Sequence, residues 1–216
     1  MKYSTILFDF DGTLADSSKA ILPCVLYTYD KLGLDAPDLS HIHKFIGPPL
    51  ADSFRIIGRE EQYVERAVEL YREFFNKTHY MDIRLFEGIE SLLRKLKDGG
   101  VRMAVTSIRV EDKLQVVCDY VGLDRYIPVV CGRVAEEGVL QKADVVRRAL
   151  DRLGNPEKEG ILMVGDSKFD EDGAAEVGID FAAVMYGFGY ESRDEIEKSV
   201  CVADTVQELT DFILKD

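Results

Sequence analysis

Apolar residues along the chain recur in short continuous runs, and stretches with helical spacing separate these runs. The first run covers residues 3–8 and stops at a charged residue, Asp9. Runs of this length are typical of strands that are buried on both faces. Similar runs follow at residues 101–106, 127–130, 161–165 and 181–184. The alternation of such strands with helices predicts a doubly wound α/β fold, in which helices cover both faces of a parallel sheet.

The segments between these strands place apolar residues three or four positions apart, as amphipathic helices do. This spacing predicts helices at residues 89–97, 110–121, 141–153, 171–177 and 206–214. The strand rhythm is missing from residue 16 to about residue 84, where helical segments are interrupted at Gly33, Gly47-Pro48-Pro49 and Gly58. We therefore expect a helical cap domain, residues 16–82, inserted into an α/β core domain, residues 1–15 and 83–216. An insertion at the carboxyl end of the first strand is placed to cover a ligand site, because such sheets bind ligands at that edge.

Charge and composition narrow the possible functions. The 216 residues include 40 acidic and 27 basic side chains, and the resulting net charge of −13 repels the backbone of nucleic acid. No apolar run approaches the ~20 residues of a membrane span, and the N-terminus shows no signal-peptide pattern. The four cysteines stand singly and without a zinc pattern, so we expect mostly buried small apolar residues. A cytoplasmic enzyme that binds neither nucleic acid nor membranes is the expectation, and the oligomeric state stays open.

Polar residues stand where the predicted strands end. They are Asp9 and Asp11 after the first strand, Thr106 and Ser107 at the end of the next, Lys142 at the start of a helix, and Asp166 after a later strand. The carboxyl ends of parallel strands meet at one edge of a sheet, so these side chains are expected to lie close together. Carboxylate oxygens suit Mg²⁺, which usually takes one or two carboxylates together with substrate phosphate oxygens. The set predicts a site for a divalent cation and a phosphoryl group.

The chemistry of phosphate esters suggests roles for such a set. A carboxylate can act as a covalent nucleophile and form an aspartyl-phosphate, which divides one difficult displacement into two easier ones. A second carboxylate two residues further on can protonate the leaving oxygen and then deprotonate the attacking water. Mg²⁺ and the ammonium of Lys142 would neutralise the phosphoryl oxygens, and the Thr106 hydroxyl would donate a hydrogen bond to them. Gly12 would let the chain turn so that both carboxylates face one point.

Four segments, in this order, resemble the signatures of the haloacid dehalogenase superfamily. They are Asp9-Phe10-Asp11-Gly12-Thr13-Leu14 with Asp16-Ser17, Val105-Thr106-Ser107, Lys142 with Ala143-Asp144-Val145, and Gly165-Asp166-Ser167-x-x-Asp170. Within the superfamily the chain resembles the phosphoglycolate phosphatase-like group with a helical (C1-type) cap, also in segments 45–50 and 186–190. The resemblance covers essentially the whole chain, and it implies a Rossmann-like core beneath the cap.

The resemblance also implies a role for each site residue. Asp9 would be the nucleophile and Asp11 the general acid and base. Mg²⁺ would be held by Asp9, the main-chain carbonyl of Asp11 and Asp166, with support from Asp170. Candidates for binding the phosphoryl group are Thr106, Ser107, Lys142 and Gly12, and Gly47 and Pro48 of the cap are candidates for contacting the substrate. The implied activity is magnesium-dependent hydrolysis of a small phosphorylated metabolite, such as phosphoglycolate, a sugar phosphate or a nucleoside monophosphate.

Two positions depart from the pattern of the subgroup. Arg109 stands near the second signature, where a lysine is expected, and Phe169 precedes Asp170, where histidine is frequent. We interpret both as peripheral to the chemistry and as relevant to substrate preference. A phosphomutase of the same superfamily and a phosphoacceptor or binding module without turnover are alternatives. A dehalogenase has no leaving alcohol to protonate, so Asp11 argues against that activity.

Overall fold

The computed structural model describes residues 2–38, 45–48, 50–55, 60–78, 82–134 and 141–215. In chain order the elements are β1 (Thr5–Phe8), β2 (Ala15–Asp16), α1 (Ser18–Lys31), α2 (Leu50–Arg55), α3 (Glu61–Thr78), β3 (Arg84–Leu85), α4 (Ile89–Asp98), β4 (Arg102–Val110), α5 (Glu111–Tyr120), β5 (Val129–Arg133), α6 (Lys142–Arg152), β6 (Ile161–Gly165), α7 (Lys168–Val177), β7 (Asp180–Val184), β8 (Cys201–Ala203) and α8 (Val206–Leu214). Six of the strands form a parallel sheet, and the predicted α/β class is confirmed.

The order of the strands determines where the sheet can bind a ligand. That order is β5-β4-β1-β6-β7-β8. The chain adds β4 and β5 on one side of β1, and it then adds β6, β7 and β8 on the other side. A crevice forms where the strand order reverses, outside the carboxyl ends of the central strands. Phe8 pairs with both Val105 and Val164, which places Asp9 at the level of Thr106 in β4 and of Gly165 at the end of β6.

Alternate residues of β1 are buried on opposite faces of the sheet. Ile6 and Phe8 belong to the apolar cluster that includes side chains of α4, α5 and α8, whereas Leu7 belongs to the cluster with α6 and α7. All three side chains are fully buried. Because both faces are covered, the strand is apolar throughout, and this explains the continuous runs seen in the sequence.

Helices α1, α2 and α3 lie within the segment that was predicted as the cap. They pack against one another around an apolar cluster of their own, which includes Ile21, Phe54 and Val64. Strands β2 and β3, which connect these helices to the sheet, pair antiparallel with each other. The predicted domain bounds stay a prediction, and Pro49 and Gly58, two of the predicted breaks, lie outside the described residues.

Some elements differ from those predicted. Strand β8 has three residues, and β2 and β3 have two each, which is too short for a periodicity to be visible. Helix α7 begins at Lys168 rather than at residue 171 because a capping box starts it earlier. In this box the main-chain N–H and the hydroxyl of Ser167 both donate to Asp170 Oδ2, at 3.2 and 2.6 Å.

The cysteines agree with the expectation of small, mostly buried residues. Cys24, Cys118 and Cys131 are buried, Cys201 is half-buried, and all four are free thiols. Within the ranges given above, no helix has the length and apolar character needed to cross a membrane.

Candidate active site

Three carboxylates meet at the carboxyl edge of the sheet. Asp9 directly follows β1, Asp166 directly follows β6, and Asp170 lies in the first turn of α7. An oxygen of each lies within 4.8 Å of an oxygen of the other two, and all three residues are buried. An all-oxygen, all-carboxylate set of this kind suits a hard divalent cation such as Mg²⁺.

Lys142 connects two of these carboxylates. It is the first residue of α6 and is 6% exposed, and its ammonium lies 2.5 Å from Asp9 Oδ1 and 2.6 Å from Asp170 Oδ1. It also donates a hydrogen bond of 3.1 Å to the main-chain oxygen of Thr106. A cation at the start of a helix is opposed by the helix dipole, and here two ion pairs offset that effect.

Burial and neighbouring charges shift the pKa values of this cluster. Burial raises the pKa of Asp9 well above its usual range, against the attraction of Lys142. Burial, followed by repulsion from Asp170, raises the pKa of Asp166 to about 7. Burial acts to lower the pKa of Lys142, but the ion pairs with Asp170 and Asp9 outweigh it and raise that pKa. Burial therefore opposes the ionisation of these carboxylates, and additional positive charge would stabilise their ionised forms.

Main-chain groups hold Asp166 in place. Its Oδ2 accepts hydrogen bonds from the N–H groups of Phe188 and Gly189, at 2.8 and 3.0 Å. Gly12 packs against the same carboxylate with φ of +85°, and a Cβ at this position would lie 2.0 Å from Asp166 Oδ2. Glycine is therefore needed here both for its backbone conformation and for space. Binding of a phosphoryl group by Gly12 stays a prediction.

The two hydroxyls at the end of the second predicted strand lie near this cluster and make hydrogen bonds within the protein. Thr106 is fully buried, and its hydroxyl donates to the main-chain oxygen of Phe8 at 3.3 Å. The Ser107 hydroxyl accepts from the main-chain N–H of Arg109 at 3.2 Å. Phosphoryl binding by Thr106 and Ser107 therefore stays a prediction.

Arg109 is part of the site, and the interpretation of this residue as peripheral was wrong. Its Nε donates to Asp11 Oδ2 at 2.5 Å and its Nη2 donates to Asp11 Oδ1 at 2.7 Å. The guanidinium carbon lies 5.8 Å from the ring centre of Phe10 and 5.4 Å from that of Phe75 in α3. The arginine in place of the expected lysine was the sequence signal, but sequence spacing does not show that this side chain turns back to Asp11. Phe169, the other departure, is 46% exposed.

Among the described residues, the cap candidates Gly47 and Pro48 make none of the hydrogen bonds or ion pairs given above for the carboxylates. Gly47 and Pro48 are half-buried and follow Phe45 and Ile46, which belong to the apolar cluster of α1–α3. Contact of Gly47 and Pro48 with a substrate stays a prediction.

The fold and this constellation together define an α/β phosphatase. Residues 6–184 match the family model of the haloacid dehalogenase-like hydrolases. The chain belongs to this family.

Similar proteins include several with named activities. The chain is 33% identical to the tyrosine-protein kinase PtkA of Mycobacterium tuberculosis over 212 residues, which are 96% of this chain and 72% of that protein. It is 34% identical to a 5'-nucleotidase of Pseudomonas aeruginosa over 197 residues, 91% of this chain and 88% of that one. The crystal structure of a predicted phosphatase from Clostridium acetobutylicum matches with a TM-score of 0.89 and 32% identity, covering 100% of both chains.

Proposed function

We propose that this protein is a magnesium-dependent phosphatase that hydrolyses a small phosphate monoester through an aspartyl-phosphate intermediate on Asp9. The observation that carries the proposal is the position of Asp9, which is buried at the end of β1, paired with Lys142 and clustered with Asp166 and Asp170. Such a carboxylate is held at a fixed point, shielded from bulk water and flanked by a cation, as covalent phosphoryl transfer requires.

The donor set fits a divalent cation. Asp9, Asp166 and the main-chain carbonyl of Asp11 would hold it with support from Asp170, and because burial raises the pKa values of Asp9 and Asp166, a bound cation would favour their ionised forms. When bound, Mg²⁺ would neutralise charge on the phosphoryl oxygens and keep the carboxylates ionised. Lys142 would add its ammonium to the same oxygens. This assignment of Mg²⁺ rests on the oxygen-only ligands and their spacing.

The two halves of the reaction use Asp9 and Asp11. Asp9 attacks phosphorus and the bond from phosphorus to the leaving oxygen breaks, while Asp11 gives a proton to that oxygen. Asp11 then takes a proton from water, which attacks phosphorus and releases Asp9 and inorganic phosphate. The proton lent by Asp11 in the first half is thus recovered in the second, and the enzyme returns to its starting state.

We assign residues 16–82 to a cap over a core of residues 1–15 and 83–216. Closure of a cap excludes water during formation of the intermediate, and its opening releases the alcohol. The cap favours small substrates, of which phosphoglycolate, a sugar phosphate and a nucleoside monophosphate are candidates. The name of the Pseudomonas aeruginosa relative supports the last of these. Metabolite substrates and four free thiols fit a cytoplasmic location.

A panel of phosphate esters tests the proposal. Phosphate release is expected with Mg²⁺, and it should be lost with EDTA and fall by roughly 10³-fold or more in Asp9→Asn. Asp11→Asn should slow alkyl phosphates more than activated aryl phosphates, because only the alkyl leaving groups need a proton. If no ester is hydrolysed, or if Asp9→Asn keeps full activity, the proposed mechanism is wrong. Equal loss on both ester types in Asp11→Asn would remove the acid role of Asp11.

A second candidate is transfer of the phosphoryl group to an acceptor other than water. The similarity to a protein named as a tyrosine kinase favours it, and a phosphomutase would use the same nucleophile. The ratio of free phosphate to released alcohol separates these functions. We expect one phosphate per alcohol for a phosphatase, whereas isomerised sugar phosphate or a phosphorylated acceptor without free phosphate would establish the second candidate.

A further inference from the structure

The ion pair between Arg109 and Asp11 conflicts with the acid role of Asp11. Both oxygens of Asp11 accept hydrogen bonds from the guanidinium, at 2.5 and 2.7 Å. A carboxyl group that protonates a leaving oxygen must turn one of its own oxygens towards that atom. Arg109 therefore has to give up at least one of its two hydrogen bonds, and the freed carboxylate has to take a proton from solvent, before Asp11 can protonate the leaving group.

The surroundings of Arg109 make an unpaired guanidinium unfavourable. Its side chain is 18% exposed, and the rings of Phe10 and Phe75 lie near its guanidinium carbon. A partly buried charge that loses its partner destabilises a site, because little water is available to replace that partner. Release of Asp11 is more favourable when another anion takes the place of the carboxylate beside Arg109.

The position of Arg109 indicates where that anion comes from. Lys142 is bound to Asp9 and Asp170, at the end of the site where the transferred phosphoryl group would lie. Arg109 is bound to Asp11, the residue that would face the leaving oxygen, and it also contacts Phe75 of α3. A guanidinium that reaches Asp11 also reaches the leaving group beside it.

We infer that Arg109 selects phosphate esters whose leaving group carries a second anionic group, by exchanging its ion pair with Asp11 for one with that group. The inference rests on the proposed function and narrows its substrate class. The planar fork of arginine binds two oxygens of a carboxylate or a phosphate at once, as it binds both oxygens of Asp11. A neutral leaving group offers no such exchange, and Asp11 stays occupied.

Two esters of equal shape test the exchange: phosphoglycolate and its carboxamide, phosphoglycolamide. The wild type should prefer the carboxylate by about 10- to 100-fold in kcat/KM, the range of a charge-assisted hydrogen bond. Arg109→Met should bring the two esters within about threefold of each other. Its turnover of the carboxamide should equal or exceed that of the wild type, because Asp11 is then free. Arg147→Met removes an exposed arginine of α6 that pairs with Asp144 and Glu176, and it should behave as the wild type.

Three results would overturn the inference: no preference in the wild type, preference retained in Arg109→Met, or equal losses on both esters. Arg109→Lys is the second variant, and it keeps the positive charge without the two-pronged guanidinium. It should keep the fold and lose most of the preference for phosphoglycolate over phosphoglycolamide. A retained preference in this variant also contradicts the exchange. 4-Nitrophenyl phosphate separates this inference from the proposed function, because its good leaving group needs no proton. If that ester is hydrolysed without preference in the glycolate pair, the inference alone fails. If no ester is hydrolysed, both fail.

Discussion

Asp166→Asn should make the metal-free protein more stable. Asp166 is 4% exposed, and burial together with Asp170 raises its pKa from 3.8 to about 7. At about 1.4 kcal/mol per tenfold change, ionised Asp166 costs about 4 kcal/mol at alkaline pH. Asparagine removes this charge, and its carbonyl can still accept the N–H groups of Phe188 and Gly189. We expect a gain of about 2–4 kcal/mol in the free energy of unfolding at pH 8.

The effect has a characteristic dependence on pH. Between about pH 4 and pH 7 the unfolded chain has lost the proton of this carboxyl and the folded protein keeps it. Unfolding then releases a proton, so the stability of the wild type falls as pH rises through this window and levels off above about 7. Asp166→Asn lacks this loss. Its advantage over the wild type should therefore be roughly half as large at pH 5.5 as at pH 8.

Urea unfolding in EDTA at pH 5.5 and pH 8, followed by circular dichroism, measures the difference. Asp98→Asn removes one exposed negative charge from the same chain and controls for the net charge of −13. Saturating Mg²⁺ should reduce or reverse the difference in the free energy of unfolding between Asp166→Asn and the wild type. A ligand at 100 times its Kd adds about 2.7 kcal/mol to the stability of the protein that binds it, and the wild type keeps the carboxylate that binds Mg²⁺. The reasoning fails if Asp166→Asn is no more stable than the wild type at pH 8, or if its advantage is the same at both pH values.

Three further predictions concern the same site. Lys142→Met leaves two buried carboxylates without their cation, and the free energy of unfolding should fall by about 3–5 kcal/mol in chemical denaturation. A loss below about 1 kcal/mol would mean that the two ion pairs of Lys142 do not stabilise the fold. Gly12→Ala should lower kcat by about 100-fold, because the new Cβ displaces Asp166. The control is Gly33→Ala, at a glycine with φ of +66° and open space around it, and it should leave kcat within about threefold of the wild type. Equal losses of kcat in the two variants would mean that backbone strain alone acts. The apparent affinity for Mg²⁺ in isothermal titration calorimetry should rise by at least about tenfold per pH unit below about pH 7, because the ion competes with the protons of Asp166 and Asp9. An affinity that does not vary with pH would exclude this competition.

The proximity of the main site residues was predictable from the chain alone. Parallel strands in register bring their carboxyl ends to one edge, so residues that directly follow β1 and β6 must be neighbours. Asp9 and Asp166 satisfy this condition, and Lys142 reaches them from the first position of α6. The order of the apolar runs was therefore sufficient to predict that Asp9, Asp166 and Lys142 lie close together.

Contacts that depend on the direction of a side chain were not predictable. Arg109 lies two residues beyond Ser107, and nothing in its spacing distinguishes a guanidinium that faces solvent from one that turns back to Asp11. The hydroxyl of Thr106 donates to the main-chain oxygen of Phe8 on the neighbouring strand, a contact that the sequence does not show. Pairing of β2 with β3 also escaped prediction, because two residues carry no periodicity and the pairing joins positions far apart in the chain.

Asp170 belongs at once to a helix terminus and to the ion-pair cluster. One of its oxygens closes the capping box that begins α7, and the other pairs with Lys142 at 2.6 Å. A substitution of Asp170 that changes the charge of the cluster therefore also removes the capping box that begins α7. Replacement of Asp170 would cost both the ion pair with Lys142 and the helix cap. A change of chemistry at this position would therefore require another residue to cap α7.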